Sequence, residues 1–442
     1  MRVTILTIGT TGWVLPFIAL GRGLQARGHS VRIATHRRFE ELIRQHGLDF
    51  APIAGDPQEI LEGREGQRLL SGHPLIFWRH LQEIIGPLID QGLRDLWQAS
   101  QDTDLLVYGL LVAPAARNIV ACLRVPGVLV SLFPAEPSRY LRPALAPAFP
   151  WRGSALERLY NRMLPVVVWE IINHAVRLSL KRWTEETLGL PPTSLTRPFH
   201  DLPEPDAVLF AYSPSVLQRP TDWPDRVAVT GYWWTDFSPR WRPPWDLLAF
   251  LEGGPPPVYV GFGSMVGTES RSVLAVILEA LRRTRQRAVL LTGWGGLAKG
   301  DVPNTVFVAD SAPHDWLFGR VAAVVHHGGA GTTSAGLRAG VPTVAVPFFE
   351  DQFFWGRRVE ALGVGPRPIR QKDLTAAGLA AAIDQAVHDP DMRTRAVDLA
   401  RRIGQEDGVG TAVQIIESVA ARHRARGAVE QSADVGALPR QA

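Results

Sequence analysis

The sequence predicts an α/β protein built as two doubly wound domains of parallel strands facing a cleft. Three observations carry that prediction. Short, wholly apolar runs alternate with amphipathic stretches through both halves, the pattern of parallel strands buried on both faces. A proline-rich break, "YWWTDFSPRWRPPW" at 232–245, interrupts the alternation, which then restarts. Finally, 442 residues exceed one core at roughly 100–200 residues per domain.

The first half opens with the strand VTILTI (3–8) and a helix across 15–27, then HSVRIAT (29–35) and a helix near 38–46. A long helical stretch at about 76–99 leads to DLLVYG (104–109), a helix at 113–123 and GVLVSLF (127–133). Helices over 154–188 and the strand DAVLFAY (206–212) follow. After the break come PVYVGFGS (257–264), a helix over 269–284, RAVLLTG (287–293), TVFVA (305–309) and VAAVVHH (321–327). A helix from about 331, PTVAVPF (342–348), a helix at 351–362 and two or three final helices complete the chain.

The single cysteine, Cys122, excludes an internal disulfide and a cysteine-rich metal site, so a reducing, cytoplasmic setting is expected. The stretch "MLPVVVWEIINHAVRLSL" (163–180) contains Glu170, His174 and Arg177, which argues against a membrane span of ~20 apolar residues. It reads as a buried amphipathic helix, with a peripheral membrane contact as the alternative. The net charge of +4 comes from small arginine clusters such as Arg37-Arg38, read as solvated faces. Aromatic residues do not interleave with them, so no nucleic-acid partner is expected.

The sharpest motif is "AAVVHHGGAGTTSAGLRAGVPTVAVPFFEDQ" (322–352). A buried strand ends at His326-His327. Gly328, Gly329 and Gly331 then permit a tight turn, and Thr332 and Thr333 open a helix. A helix start offers free N–H groups and partial positive charge, an anion site, and an imidazole adds a donor. The loop has neither the dinucleotide G-x-G-x-x-G nor the Walker Lys-Ser/Thr pair. It reads as a diphosphate site made of neutral donors and a histidine. Asp351 and Gln352 fall at the same sheet end, fit either to bind paired sugar hydroxyls or to cap the helix that starts there.

Together with "GYWW" (231–234), "PPPVYVGFGSM" (255–265), "LLTGWGGL" (290–297), "SAPHDWLF" (311–318), "LGVGP" (362–366) and "LPFIALGRGLQARGHSVRIATHRRF" (15–39), this motif resembles the family 1 nucleotide-sugar glycosyltransferases. The likeness is greatest to the sterol 3-beta-glucosyltransferase-like branch. It implies the GT-B fold, with two Rossmann-like domains: residues 1–235 for the acceptor and 251–391 for the UDP-sugar. A linker at 236–250, helices at 392–426 crossing back to the amino-terminal domain and a disordered tail at 427–442 complete the arrangement. It further implies that His327, with the loop Gly328, Gly329, Gly331, Thr332 and Thr333 and with Ser264, holds the diphosphate. Ser311 and Ala312 would meet the uracil, and Asp351 and Gln352 the sugar hydroxyls. UDP-sugar is a substrate here, so neither a cofactor nor a metal is expected. Plant enzymes of the family carry a uracil-stacking Trp where this chain has Ser311, and a ribose-binding Glu where it has Ala335.

The first loop departs further. The family's base is an Asp or His in a G-D-V-x-P-like stretch, and here Gly12-Trp13-Val14-Leu15-Pro16 matches, placing Trp13 at the base position. Indole donates a hydrogen bond and cannot accept a proton near neutral pH. Three explanations stand open: another base, His36 or behind it Glu136; an acceptor acidic enough to need none; or an impaired protein in which Trp13 walls or plugs the acceptor pocket. An impaired chain would serve as a sugar-nucleotide-binding partner or regulator. Phe133, and with it Phe17, Phe77, Trp78, Trp151 and Trp169, are candidates to line an apolar acceptor pocket.

Overall fold

A computed structural model describes residues 1–56, 74–144, 149, 153–190, 204–235, 241–262, 270–291, 302–348 and 351–436. Two parallel sheets organise it. The first contains β1 (Arg2–Leu6), β2 (Ser30–Thr35), β3 (Asp49–Pro52), β4 (Leu105–Gly109), β5 (Gly127–Ser131), β6 (Ala207–Phe210) and β7 (Val227–Val229), in the order β3-β2-β1-β4-β5-β6-β7. The second contains β8 (Val258–Gly261), β9 (Ala288–Leu291), β10 (Val306–Ala309), β11 (Ala323–His326) and β12 (Thr343–Ala345), in the order β10-β9-β8-β11-β12. The helices are α1 (Thr11–Ala26), α2 (Glu40–Gln45), α3 (Pro74–Ser100), α4 (Ala113–Leu123), α5 (Ala155–Glu186), α6 (Trp245–Glu252) and α7 (Ser270–Thr284). They continue with α8 (His314–Leu317), α9 (Ala330–Ala339), α10 (Gln352–Ala361), α11 (Ala376–His388), α12 (Pro390–Ile403) and α13 (Gly408–Gly436).

Both sheets reverse their winding beside their first strand: β4 pairs with the far edge of β1, and β11 with the far edge of β8. Such a switch point opens a crevice at the carboxyl ends of the strands, where α/β proteins bind ligands. The loops after β1 and β11 both leave from these crevices. They face each other: a Cβ added at Gly331, in the first turn of α9, would sit 3.7 Å from the Cα of Gly12 in the first turn of α1.

β3 and β7 were not expected. Each has three or four residues and lies at a sheet edge, where strands are kept short and the apolar pattern is weakest. The linker expected at 236–250 is not structureless throughout. α6 starts directly after Pro244, because proline's fixed φ suits a helix entrance while excluding a helix interior. The tail expected to be disordered from 427 is helical as far as Gly436. Ala, Glu and Gln there favour helix through intrinsic propensity, with no apolar period needed; residues 437–442 lie outside the described set.

α12 and α13 tie the halves together. Ala396, Leu399 and Ile403 of α12 join a cluster that also holds Tyr212, Tyr232, Leu337 and Trp355. α13 enters the first domain's core: Ala412, Val413, Ile416, Val419 and Ala420 pack with Phe17, Ile18 and Leu20 of α1. Glu417 fastens the contact by accepting from Arg27 at 3.0 Å and lying 3.1 Å from His29. The reading of 163–180 as a buried helix fails at its start, since Met163, Val166 and Val167 of α5 are 42–50% exposed. The side chains of 168–178 lie outside the described residues.

Candidate active site

The side expected to hold the donor is assembled by β11 and α9. His326 ends β11 wholly buried, and its Nδ1 accepts from the Gly328 N–H at 2.9 Å. That bond turns the chain through Gly328, whose φ of +88° favours glycine and whose added Cβ would lie 2.9 Å from the Gln352 carbonyl oxygen. At Gly329 a Cβ would collide with His327 Nε2, so the imidazole lies directly over this backbone. The first bond within α9 is Thr333 N–H to Gly329 oxygen at 2.9 Å. The N–H groups of Ala330, Gly331 and Thr332 are therefore left for something outside the helix.

Three buried polar atoms here lack a hydrogen-bond partner among the described residues: His326 Nε2, His327 Nδ1 and Thr333 Oγ1. Buried polar groups are rarely left unsatisfied, and a cluster of them marks where a polar ligand belongs. Burial pushes the His327 pKa down to about 4, so the ring is neutral at pH 7 and acts as a donor dipole. His314, which sequence reasoning passed over inside "SAPHDWLF", stands behind it. Its ring stacks on Phe318 at 4.6 Å and its Nε2 lies 3.1 Å from the Tyr259 hydroxyl. Burial, then the neighbouring His327, push His314 down to about 4 as well.

Ser311 is exposed and Ala312 buried, at the mouth after β10. Asp351 stands at the N-terminus of α10, yet makes no side-chain cap bond; its Oδ2 accepts from Trp355 Nε1 at 3.1 Å instead. Gln352 is 5% exposed, and its Oε1 accepts from the Phe348 N–H at 2.9 Å, which binds the end of the strand β12 to α10. Capping thus does not explain Asp351. Ser264 lies outside the described residues.

The side expected to hold the acceptor is apolar at the point where a base is expected. Trp13 is half-buried in the first turn of α1, edge-on to Phe133 with ring centroids 6.0 Å apart. It packs at the border of two core clusters, against both of which Ala330 at the start of α9 also packs. Gly9, at φ +130°, lets the indole lie against the loop: a Cβ there would be 3.1 Å from Trp13 Cβ. Arg38 holds the same loop by donating to the Gly9 carbonyl at 2.8 Å and pairing with Asp56 at 3.0 Å. The Arg37-Arg38 pair is therefore not simply a solvated face. Its hint was position, directly after a strand end, which charge counting overlooks.

His36 is not available as the base. It is 1% exposed, with Nδ1 3.3 Å from the Ile53 carbonyl oxygen, and a sealed ring cannot reach an acceptor hydroxyl. Phe17 is likewise core, fully buried and edge-on to Trp233. Phe77, Trp78, Trp151 and Trp169 have side chains outside the described residues. Glu136 lies on the loop after Phe133 with its side chain 20% exposed. Burial raises its pKa, opposed by Arg226 at 3.8 Å. Among the described residues no group of three or more His, Cys, Asp or Glu is placed to hold a metal ion.

Known proteins share these domains and this fold. Residues 3–102 match the glycosyltransferase family 28 N-terminal domain, and 293–415 match the erythromycin biosynthesis protein CIII-like C-terminal domain. Sterol 3-beta-glucosyltransferases of Aspergillus clavatus and Neosartorya fischeri are 39% and 40% identical over 433 residues, 94% of this chain. The chain belongs to family 1 of the GT-B glycosyltransferases, in the sterol 3-beta-glucosyltransferase-like branch. It spans 29% of the length of each of those two relatives. The GT-B fold is shared with the solved glycosyltransferase of kitacinnamycin (TM-score 0.69, 20% identity, 95% of this chain and 98% of that one). It is shared also with the glycosyltransferase VinC in complex with dTDP (TM-score 0.63, 19% identity, 96% and 100%).

Proposed function

We propose that this GT-B chain is an inverting, metal-independent glycosyltransferase that moves a hexose, glucose, from a UDP-sugar to the hydroxyl of a hydrophobic, sterol-like acceptor. The observation that carries the reading is the unsatisfied polar cluster of His326, His327 and Thr333 beneath the open N-terminus of α9, set against the first loop. In it, the N–H groups of 330–332 and the neutral His327 stabilise the departing diphosphate, the electrostatic task that usually dominates the rate. Ser264 adds to the diphosphate contacts, Ser311 and Ala312 meet the uracil, and Asp351 and Gln352 orient the sugar. The sterol-like acceptor rests on what the named relatives act on. VinC, solved with dTDP, supports a nucleoside-diphosphate donor.

Trp13 and Phe133 form an apolar wall against which such an acceptor lies. With His36 sealed, Glu136 on the loop after Phe133 is the remaining candidate to take the proton, and burial raises its pKa. A second reading is favoured by Trp13 alone: a sugar-nucleotide-binding partner without turnover. Incubating the protein with UDP-glucose and a panel of sterols, phenols and macrolides, beside Trp13→Asp and Glu136→Gln variants, separates the two. Transfer by the wild type removes the second reading, and transfer by Trp13→Asp alone removes the first. Absence of UDP binding by calorimetry overturns both.

A further inference from the structure

The exposed apolar residues of this protein are not scattered. Leu156, Leu159, Met163, Val166 and Val167 are 54, 57, 50, 42 and 45% exposed. They recur at steps of three and four residues along the first turns of α5 and so share one face. Asn161, 4% exposed, marks the opposite face, where the helix meets the protein. Five adjoining large apolar side chains turned to water are unusual for a soluble surface and mark a contact site.

Charge identifies what fits it. Arg158 and Arg162 are both exposed along one flank of the stripe. Glu157, the acidic residue of this stretch, is turned back onto the helix start, where it accepts from the Gly153 N–H at 2.5 Å. Ser154 completes that entrance by capping Glu157 N–H at 3.0 Å. The face is therefore apolar and cationic, which is complementary to a bilayer surface, where hydrocarbon lies beside phosphate. Its place in the chain agrees. β5 delivers its following loop at the same sheet end as the Trp13 loop, that loop carries Phe133 and Tyr140 (69% exposed), and α5 follows it.

We propose that the amino-terminal turns of α5 form a peripheral docking face for anionic lipid bilayers. The chain lies on the membrane with Leu159 and Met163 in the interface and Arg158 and Arg162 on headgroup phosphates. This goes beyond the transfer reading and is measured without turnover, so either can fail alone.

The test is co-sedimentation with phosphatidylcholine vesicles, with and without phosphatidylglycerol, with circular dichroism as the control for folding and UDP calorimetry beside it. The wild type is expected to sediment with the phosphatidylglycerol vesicles, less so as salt rises. Leu159→Glu with Met163→Glu should lower partitioning at least tenfold and leave UDP affinity unchanged. Arg158→Ala with Arg162→Ala should remove the preference for phosphatidylglycerol, roughly fivefold per arginine. Equal sedimentation of wild type and Leu159→Glu/Met163→Glu, or no sedimentation of the wild type with either vesicle, overturns the proposal. A wild-type dimer that this double variant turns into a monomer by light scattering also overturns it, assigning the face to a second copy.

Discussion

Trp13 stands at the position where a catalytic base is expected. It occupies the third residue of α1, a helix whose first turn has no acidic residue and whose Thr10 makes no side-chain cap bond. A carboxylate at this position gains from the helix dipole, so Trp13→Asp costs chiefly the indole's packing against Phe133 and the Gly9 loop. We expect unchanged UDP affinity, since the groups proposed to bind the donor lie on α9 and its neighbours rather than on the first loop. We also expect at least tenfold faster transfer where proton removal limits the wild type, because a general base contributes roughly 10²–10⁴-fold. Steady-state kinetics with one sterol acceptor measure it. On the other side, His327→Ala should lower kcat by roughly 10²–10³-fold, as loss of one preorganised donor does, and His327→Gln should restore part of it. His314 and His327 also set a pH dependence. Burial holds both at about 4 when folded, against roughly 6.5 when unfolded. Between these values the unfolded chain binds protons that the folded chain excludes. Stability is therefore complete above about pH 6.5 and falls as the pH drops through the window, by on the order of 3 kcal/mol per ring. Urea midpoints at pH 7 and pH 5 report the difference.

At the scale of the element, the strand-turn-helix from β11 to α9 is a rigid cradle rather than a loose loop. His326 anchors Gly328, Gly328 lies against Gln352, and Gln352 in turn holds Phe348. Gly328→Ala meets both a positive φ and a backbone oxygen 2.9 Å away. Local strain of ~1–3 kcal/mol then distorts the N–H groups proposed to hold the diphosphate. UDP affinity by calorimetry should fall tenfold or more, with circular dichroism unchanged. The strand ending, the three glycines and the helix opening were all readable, because local geometry imposes those residue types. The partners of the turn were not: Gln352 is 24 positions from Gly328, and nothing local marks that contact.

Over the whole molecule, α13 is a structural part of the domain it does not follow in sequence. Its buried Ala412, Val413, Ile416, Val419 and Ala420 fill the core beneath α1, and Gly23 is a glycine because a Cβ there would collide with Val409. Ending the chain before Gly408 removes that packing, worth on the order of 5–8 kcal/mol at ~1.5–3 kcal/mol per fully buried Val or Ile. This is the scale of a domain's entire stability, ~5–15 kcal/mol. The shortened chain is expected to lose the cooperative thermal transition of the amino-terminal domain and to be cleaved there by low levels of protease.

By itself the sequence determined the two parallel sheets, the helices between them and the glycine-histidine loop, since burial on both faces and backbone turning each require particular residues at short range. It also marked Trp13 as out of place. Only the tertiary structure decided that His36 is sealed under Ile53, that Arg38 holds Gly9, that His314 stands behind His327 and that the start of α5 faces water. Those outcomes depend on which elements become neighbours after folding. A side chain's burial and charge state are set by groups brought to it from distant parts of the chain.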